Sequence, residues 1–294
     1  MIAIRLFMLM VAVITVSACS STPGNTIPTV NSLLLAEPEP TSQRSQMVIA
    51  RYTHILYEAP LNDEERAELL FQRGITYDSV GLNSLAQLDY TEALRLKPDM
   101  AEAYNSVGVH YTQQGQFIQA YEAFDATLDI NPDYHFALLN RGIALYYGGR
   151  SDLATADTSA FLEKDKSDPI RVLWQFITMR QVDEIAAFAQ LNENRAKLND
   201  EQWATSIVDF YLGDITEAAV VAALISDVQS QEQLNNRLCE AYFYLGKYHA
   251  ALGNRTTAAN YFKLSLSTNV HEYAEHKFAR IELANIRAAD RPAN

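Results

Sequence analysis

The chain has 294 residues, with 23 lysines and arginines against 36 aspartates and glutamates, a formal net charge of −13, and two cysteines. An acidic chain without a basic cluster does not neutralise phosphates, so no nucleic-acid partner is expected, nor adhesion to anionic lipid or glycan. Two cysteines, one of them near the start, leave no internal disulfide framework.

In chain order, Arg5 is followed by an apolar run from Leu6 to Val16 and then by Val16-Ser17-Ala18-Cys19. The run is too short for a transmembrane helix and has the layout of a secretory signal peptide over 1–18. Small residues before a cysteine form a bacterial lipobox, which makes Cys19 the expected lipidation site and the first residue of the mature chain. One acyl chain anchors marginally, at about 0.8 kcal/mol per buried CH₂, whereas the three usual on bacterial lipoproteins, palmitate among them, make attachment effectively permanent. Ser20 in place of an aspartate favours the outer membrane, with the chain facing the periplasm. Residues 19–44 contain Pro23, Pro28, Pro38 and Pro40 among small polar residues, the composition of an extended tether. An N-terminal helical segment is expected over 45–66, with its helix from about Ser45 to Tyr57. Asn62 and Glu65 are spaced as a capping box that opens the next helix.

From there a beat of 34 residues runs through the chain. Gly74, Gly108 and Gly142 fall on it, as do Gly81, Gly115 and Gly149, and Ala86, Ala120 and Ala154. Tyr90 and Phe124 follow the alanines, and Pro98 and Pro132 close two units. A fixed period of this length marks stacked helix–turn–helix units. In each unit a glycine inside helix A admits helix B closely, which offsets the roughly 1 kcal/mol that a mid-helix glycine costs. A second glycine forms the turn, and the aromatics fill space between neighbouring units. These positions resemble the tetratricopeptide repeat over 67–168, in three copies, the third with Thr158 in the aromatic position. A further copy is expected over 239–272 from Tyr242, Leu245, Gly246, Gly253, Ala258 and Phe262. The span 169–238 reads as degenerate helical repeats, with Trp203–Gly213 its clearest helix, and 273–294 as a capping helix and tail that covers the end of the stack. Cys239 reads as plain core packing. The fold class is therefore all-α, a superhelical solenoid of antiparallel helix pairs, most simply one continuous stack.

No Gly-x-Ser-x-Gly elbow, phosphate loop or Cys-x-x-Cys pair occurs, so neither an enzyme nor a cofactor is expected. His271 and His276 stand five apart, roughly 140° around a helix, instead of the four that a zinc-protease helix needs. No metal is expected. Repeat stacks bind proteins through their concave face, lined by helix A. Its second, fifth, ninth, twelfth and thirteenth positions are Glu68, Phe71, Ile75, Asp78 and Ser79 in the first unit. In the second they are Glu102, Asn105, Val109, Thr112 and Gln113. In the third they are Phe136, Leu139, Ile143, Tyr146 and Tyr147, with Asn140 beside them. These form the candidate partner-binding groove, with the two tyrosines as candidate anchors. Phe71 and Ile75 stand where chaperone-tail clamps carry lysine and asparagine, which argues against that class of adaptor.

The run Asn140-Arg141-Gly142-Ile143-Ala144-Leu145-Tyr146-Tyr147-Gly148-Gly149-Arg150 resembles the NlpI-type tetratricopeptide-repeat outer-membrane lipoproteins, as do Tyr244–Tyr248 and Asn269–His271. The resemblance runs from the lipobox to Ala288 and is loosest in the tether and between Gln181 and Gln231. It implies a homodimer that engages a periplasmic tail-specific protease and delivers a peptidoglycan endopeptidase to it, and that gathers other murein enzymes. The alternative is a structural scaffold for outer-membrane or envelope assembly complexes.

Overall fold

The computed structural model describes residues 34–38 and 42–289; the signal peptide, Cys19 and most of the expected tether lie outside the described residues. Fourteen helices are described: α1 (Gln43–Glu58), α2 (Asp63–Ser79), α3 (Asn83–Leu96), α4 (Ala101–Gln113), α5 (Phe117–Ile130), α6 (Phe136–Tyr147), α7 (Ser151–Glu163), α8 (Pro169–Met179), α9 (Glu184–Arg195), α10 (Thr205–Leu212), α11 (Glu217–Ile225), α12 (Gln231–Ala251), α13 (Arg255–Ser267) and α14 (Ala274–Ala289). No strand occurs among the described residues, and none of their helices is long and apolar enough to cross a membrane.

Helix boundaries follow local chemistry. The Asn62 side chain accepts the Glu65 amide at 2.9 Å and the Glu65 carboxylate accepts the Asn62 amide at 3.0 Å, closing the capping box. Asp63, Glu64 and Glu65 then place negative charge at the positive end of α2. Helices α3 and α5 stop one residue before Lys97-Pro98 and Asn131-Pro132, where a proline ring would clash with the preceding turn. Asp168 caps α8, with Pro169 in its first turn.

Pairs α2/α3, α4/α5, α6/α7 and α12/α13 are antiparallel hairpins that pack on one another in chain order, α3 on α4, α5 on α6 and α7 on α8. The glycines of helix A explain the closeness. A Cβ on Gly74 would stand 2.6 Å from the Tyr90 ring, on Gly108 2.6 Å from Phe124, and on Gly246 2.7 Å from Phe262. These aromatics therefore lie over the glycine of their own unit, not simply between units as the spacing suggested; Tyr90 additionally meets His110 of the next unit at 5.8 Å. In the third unit the Thr158 methyl replaces the ring, 2.9 Å from a Cβ on Gly142, and its hydroxyl pairs with Thr178 at 2.7 Å. At the α2–α3 turn Gly81 takes φ 77°, a left-handed conformation that costs glycine least.

Two ion pairs repeat at twice the period. Arg73 forks onto Asp89 at 2.7 and 2.8 Å, and Arg141 onto Asp157 at the same distances. Both aspartates are buried, so each needs its guanidinium to offset lost hydration.

Between 169 and 230 the helices shorten to eight to twelve residues. Helix α10 covers only part of the expected Trp203–Gly213 segment and ends on Gly213 at φ 84°. Cys239 is fully buried, its thiol pushed up to about 12 chiefly by burial. Part of the expected tether is not extended away from the repeats. Tyr242 donates a hydroxyl hydrogen bond to the Leu34 carbonyl, and Asn235 donates to the Glu37 carbonyl at 3.0 Å, which ties residues 34–38 to α12. Helix α14 packs on α13 and α12 but also reaches α4, so it turns inward to the helix A side of the early repeats.

Candidate protein-binding groove

The inward turn of α14 divides the concave face. Lys247 on α12 is 7 % exposed; its Nζ lies 2.5 Å from Glu282 Oε1 on α14 and donates to the Tyr146 hydroxyl on α6 at 2.7 Å. Tyr147 donates to the same Glu282 oxygen at 2.8 Å, and its ring meets Phe278 of α14 at 5.8 Å. Trp174 of α8 packs on Phe278 at 6.4 Å and on Phe243 of α12 at 5.7 Å. Tyr244 donates to the buried Glu275 carboxylate at 2.7 Å. Side chains from α6, α8 and α12 thus close around α14.

The electrostatics follow from that closure. Burial pulls the Lys247 ammonium down, but Glu282 and Tyr146 outweigh it and hold the group above its ordinary value, so it stays charged. Burial and then Glu282 push the Tyr147 hydroxyl well up, so it remains a donor. Burial also raises the Glu275 carboxyl.

The candidate groove residues separate by row. The second-position row, Glu68, Glu102 and Phe136, is exposed, with Phe136 at 50 %, its ring stacked on His135 at 5.2 Å and tilted against Phe161 at 5.7 Å. The fifth-position row, Phe71, Asn105 and Leu139, is buried, and Asn105 accepts a hydrogen bond from Asn140 at 3.0 Å. Along the ninth-position row exposure falls from 40 % at Ile75 to 8 % at Val109 and zero at Ile143. In the twelfth-position row Asp78 accepts from the Tyr90 hydroxyl and lies 3.0 Å from His110 Nε2; Thr112 is fully buried, donating to the Gly108 carbonyl; Tyr146 holds Lys247. Ser79, Gln113 and Tyr147 of the thirteenth-position row are partly exposed. The open surface is therefore the edge formed by Glu68, Glu102 and Phe136, with Ile75 behind it.

Lys247, Glu275 and Glu282 were not among the residues singled out from the sequence. Their signal was present: Lys247 interrupts the aromatic run Tyr242–Tyr248, and Glu275, Phe278 and Glu282 share one face of α14 at helical spacing. His271 and His276 also differ from the helical expectation. Helix α14 begins only at Ala274, so His271 sits in the preceding turn and its ring returns to within 4.6 Å of His276. Among the described residues no group of three or more His, Cys, Asp or Glu side chains is placed to hold a metal.

No protein-family model matches the chain. It is similar to the solved structure of a tetratricopeptide repeat protein from Parabacteroides merdae, at 18 % identity over 84 % of this chain and 100 % of that one, TM-score 0.48. It is similar also to YrrB, described as a TPR protein with an unusual peptide-binding site, at 15 % identity over 77 % of this chain and 95 % of that one, TM-score 0.44. MamA matches at 20 % identity over 51 % of this chain and 87 % of that one, TM-score 0.44. At these scores the fold rests on the chain's own geometry: glycine-seated helix hairpins on a 34-residue beat make this an all-α tetratricopeptide-repeat solenoid.

Proposed function

We propose that this chain is a non-enzymatic protein-binding adaptor, anchored by Cys19 to the outer membrane and facing the periplasm as a homodimer. It binds a periplasmic tail-specific protease and brings it a peptidoglycan endopeptidase, so that cell-wall hydrolysis is regulated by destruction of the hydrolase. The observation that carries the binding role is the exposed second-position row, Glu68, Glu102 and Phe136, one residue from each of three stacked units. Such a row offers contacts at regular spacing along an extended partner segment, with the aromatic as anchor. The anchor, the compartment and the identity of the two enzymes rest on the lipobox and on the NlpI-type resemblance. Holding protease and substrate on one tethered body raises their effective concentration without new catalysis.

The test is turnover of the endopeptidase by the protease, measured with and without the mature chain. Faster turnover with the chain, lost on Phe136→Ala with Glu102→Ala, is expected. An unchanged rate overturns the delivery role. Tyr146 and Tyr147 are poor choices for such a test, because replacing them removes partners of Lys247 and Glu282 and so disturbs the fold.

A further inference from the structure

A cleft of about 350 Å³ opens where the α2–α3 turn, the end of α4 and the start of α14 meet. Its walls carry two cationic side chains, Lys277 and Arg280, together with Gln113 and the rings of His271 and His276, both held below the ordinary histidine value chiefly by burial, His276 at about 4. Lys277 and Arg280 make no ion pair or side-chain hydrogen bond with any described residue. Two carboxylates lie near enough to act on Lys277, Asp78 and Glu272, but Asp78 is committed to Tyr90 and His110, each at 3.0 Å. Burial lowers the Lys277 ammonium, the mark of a charge taken from water without a full counter-ion. His276, 4 % exposed, is fixed by its Nε2 donating to the Leu266 carbonyl at 3.2 Å.

Helix α3 adds a fixed dipole to the same wall. Its N-cap is Leu82, which has no side-chain oxygen, and the amides of Asn83 and Ser84, two residues that line the cleft, donate to no described acceptor. Uncapped amides at a helix start favour an anion. Two large apolar side chains, Leu82 at 45 % exposure and Leu85 at 44 %, also line the opening. A cleft for inorganic phosphate has no use for them. A chain-terminal carboxylate beside an aliphatic side chain satisfies both the cations and the leucines.

We propose that this cleft binds the free C-terminal carboxylate of a partner polypeptide whose last residue is aliphatic, with Lys277, Arg280 and the start of α3 holding the carboxylate and Leu82 and Leu85 the side chain. The proposal rests on the protein-binding reading and names a second recognition site at the C-terminal ends of α2 and α4, whereas Glu68, Glu102 and Phe136 lie in the N-terminal halves of α2, α4 and α6. It also gives α14 a role in recognition, because this helix supplies both cations, Lys277 and Arg280.

The test uses the full mature chain with ¹³C-labelled histidine rings and three probes: acetyl-Gly-Ala-Leu with a free carboxylate, the same peptide as its carboxamide, and inorganic phosphate. The free acid is expected to move the His271 and His276 resonances saturably while His54 and His135 stay still, and to bind at least tenfold tighter than the amide. Arg280→Gln and Lys277→Gln are each expected to weaken the acid about tenfold, as loss of one charge-assisted contact does. Arg280 is exposed, so its replacement leaves the fold intact even if Lys277→Gln does not. Equal binding of acid and amide overturns the proposal. So does acid binding that leaves both rings unmoved, although peptide capture elsewhere would still agree with an adaptor. Movement of the rings by phosphate but not by the peptide also overturns it, in favour of a small inorganic oxyanion. The protease assay reads the adaptor role independently of all three.

Discussion

The early repeats and the C-terminal part of the chain are held by contacts of different range. From α2 to α7 the contacts are short in sequence: a glycine of helix A receives a side chain of helix B sixteen residues on, three times over, and the Arg73–Asp89 and Arg141–Asp157 forks span the same sixteen residues. Around α14 the contacts are polar, buried and distant, with Lys247 reaching Tyr146 across 101 residues and Tyr147 reaching Glu282 across 135. A repeat stack needs only nearest-neighbour packing. Closing a helix back onto the concave face needs groups that recognise one another from far along the chain, and buried charges do so because an unpaired one is costly.

The largest expected effect tests that closure. Lys247→Ala leaves Glu282 buried without its counter-ion, and is expected to lower stability by about 3–5 kcal/mol, read as a shift of the urea midpoint. The double change Lys247→Met with Glu282→Leu removes both charges and is expected to recover most of that loss. A small effect of Lys247→Ala would mean that α14 is held by Phe278 and its apolar neighbours alone, and the contrast between the two regions would collapse.

What was legible in the sequence follows the same division. The beat of Gly74, Gly108 and Gly142, the Asn62–Glu65 capping box and the copy around Gly246 could be read because each depends on residues a fixed, short distance apart. The Arg73–Asp89 and Arg141–Asp157 forks shared that regularity and went unread only because arginine and aspartate look like surface residues. The path of α14 was not legible. Its sequence is that of an amphipathic end cap, and nothing local tells a helix that covers the end of a stack from one that enters its concave face. Hence the concave-face rule named Thr112, Ile143 and Tyr147 as groove residues, whereas Thr112 and Ile143 are fully buried and Tyr147 binds Glu282. The closeness of the His271 and His276 rings was not legible for a related reason: a 140° separation holds only within one continuous helix, and the helix starts after His271.

The glycine seats give the next effect in size. At Gly108 an alanine gains helix propensity of about 1 kcal/mol but drives a methyl to 2.6 Å from the Phe124 ring. Overpacking of that kind costs about 1–3 kcal/mol, so Gly108→Ala is expected to lower the midpoint. At Gly142 the obstacle is the smaller Thr158 methyl at 2.9 Å, and the same change is expected to lower the midpoint by less. Equal losses at the two sites would show that backbone geometry, rather than the side chain opposite, makes glycine necessary.

The smallest effect separates polar docking from packing by its pH dependence. Glu217 opens α11 and joins it to both following helices: its carboxylate lies 3.0 Å from His249 Nε2 on α12 and accepts the Tyr261 hydroxyl of α13. The His249 contact holds the Glu217 carboxyl below its ordinary value of 4.5, against the opposing pull of burial, and Tyr261 adds to it. A lowered carboxyl value means that the ionised form is favoured by folding. Its contribution is therefore present above pH 4.5 and is lost as pH falls through the lower folded value. The Glu217 side chain is 38 % exposed, so solvent screening limits the contribution to under about 1 kcal/mol. Glu217→Gln is expected to lower the urea midpoint modestly at pH 7, with the difference from the unaltered chain shrinking below pH 4.5. A difference that stays constant into acid would assign Glu217 a neutral hydrogen-bonding role, and the degenerate helices would then be held to α12 and α13 by shape more than by charge.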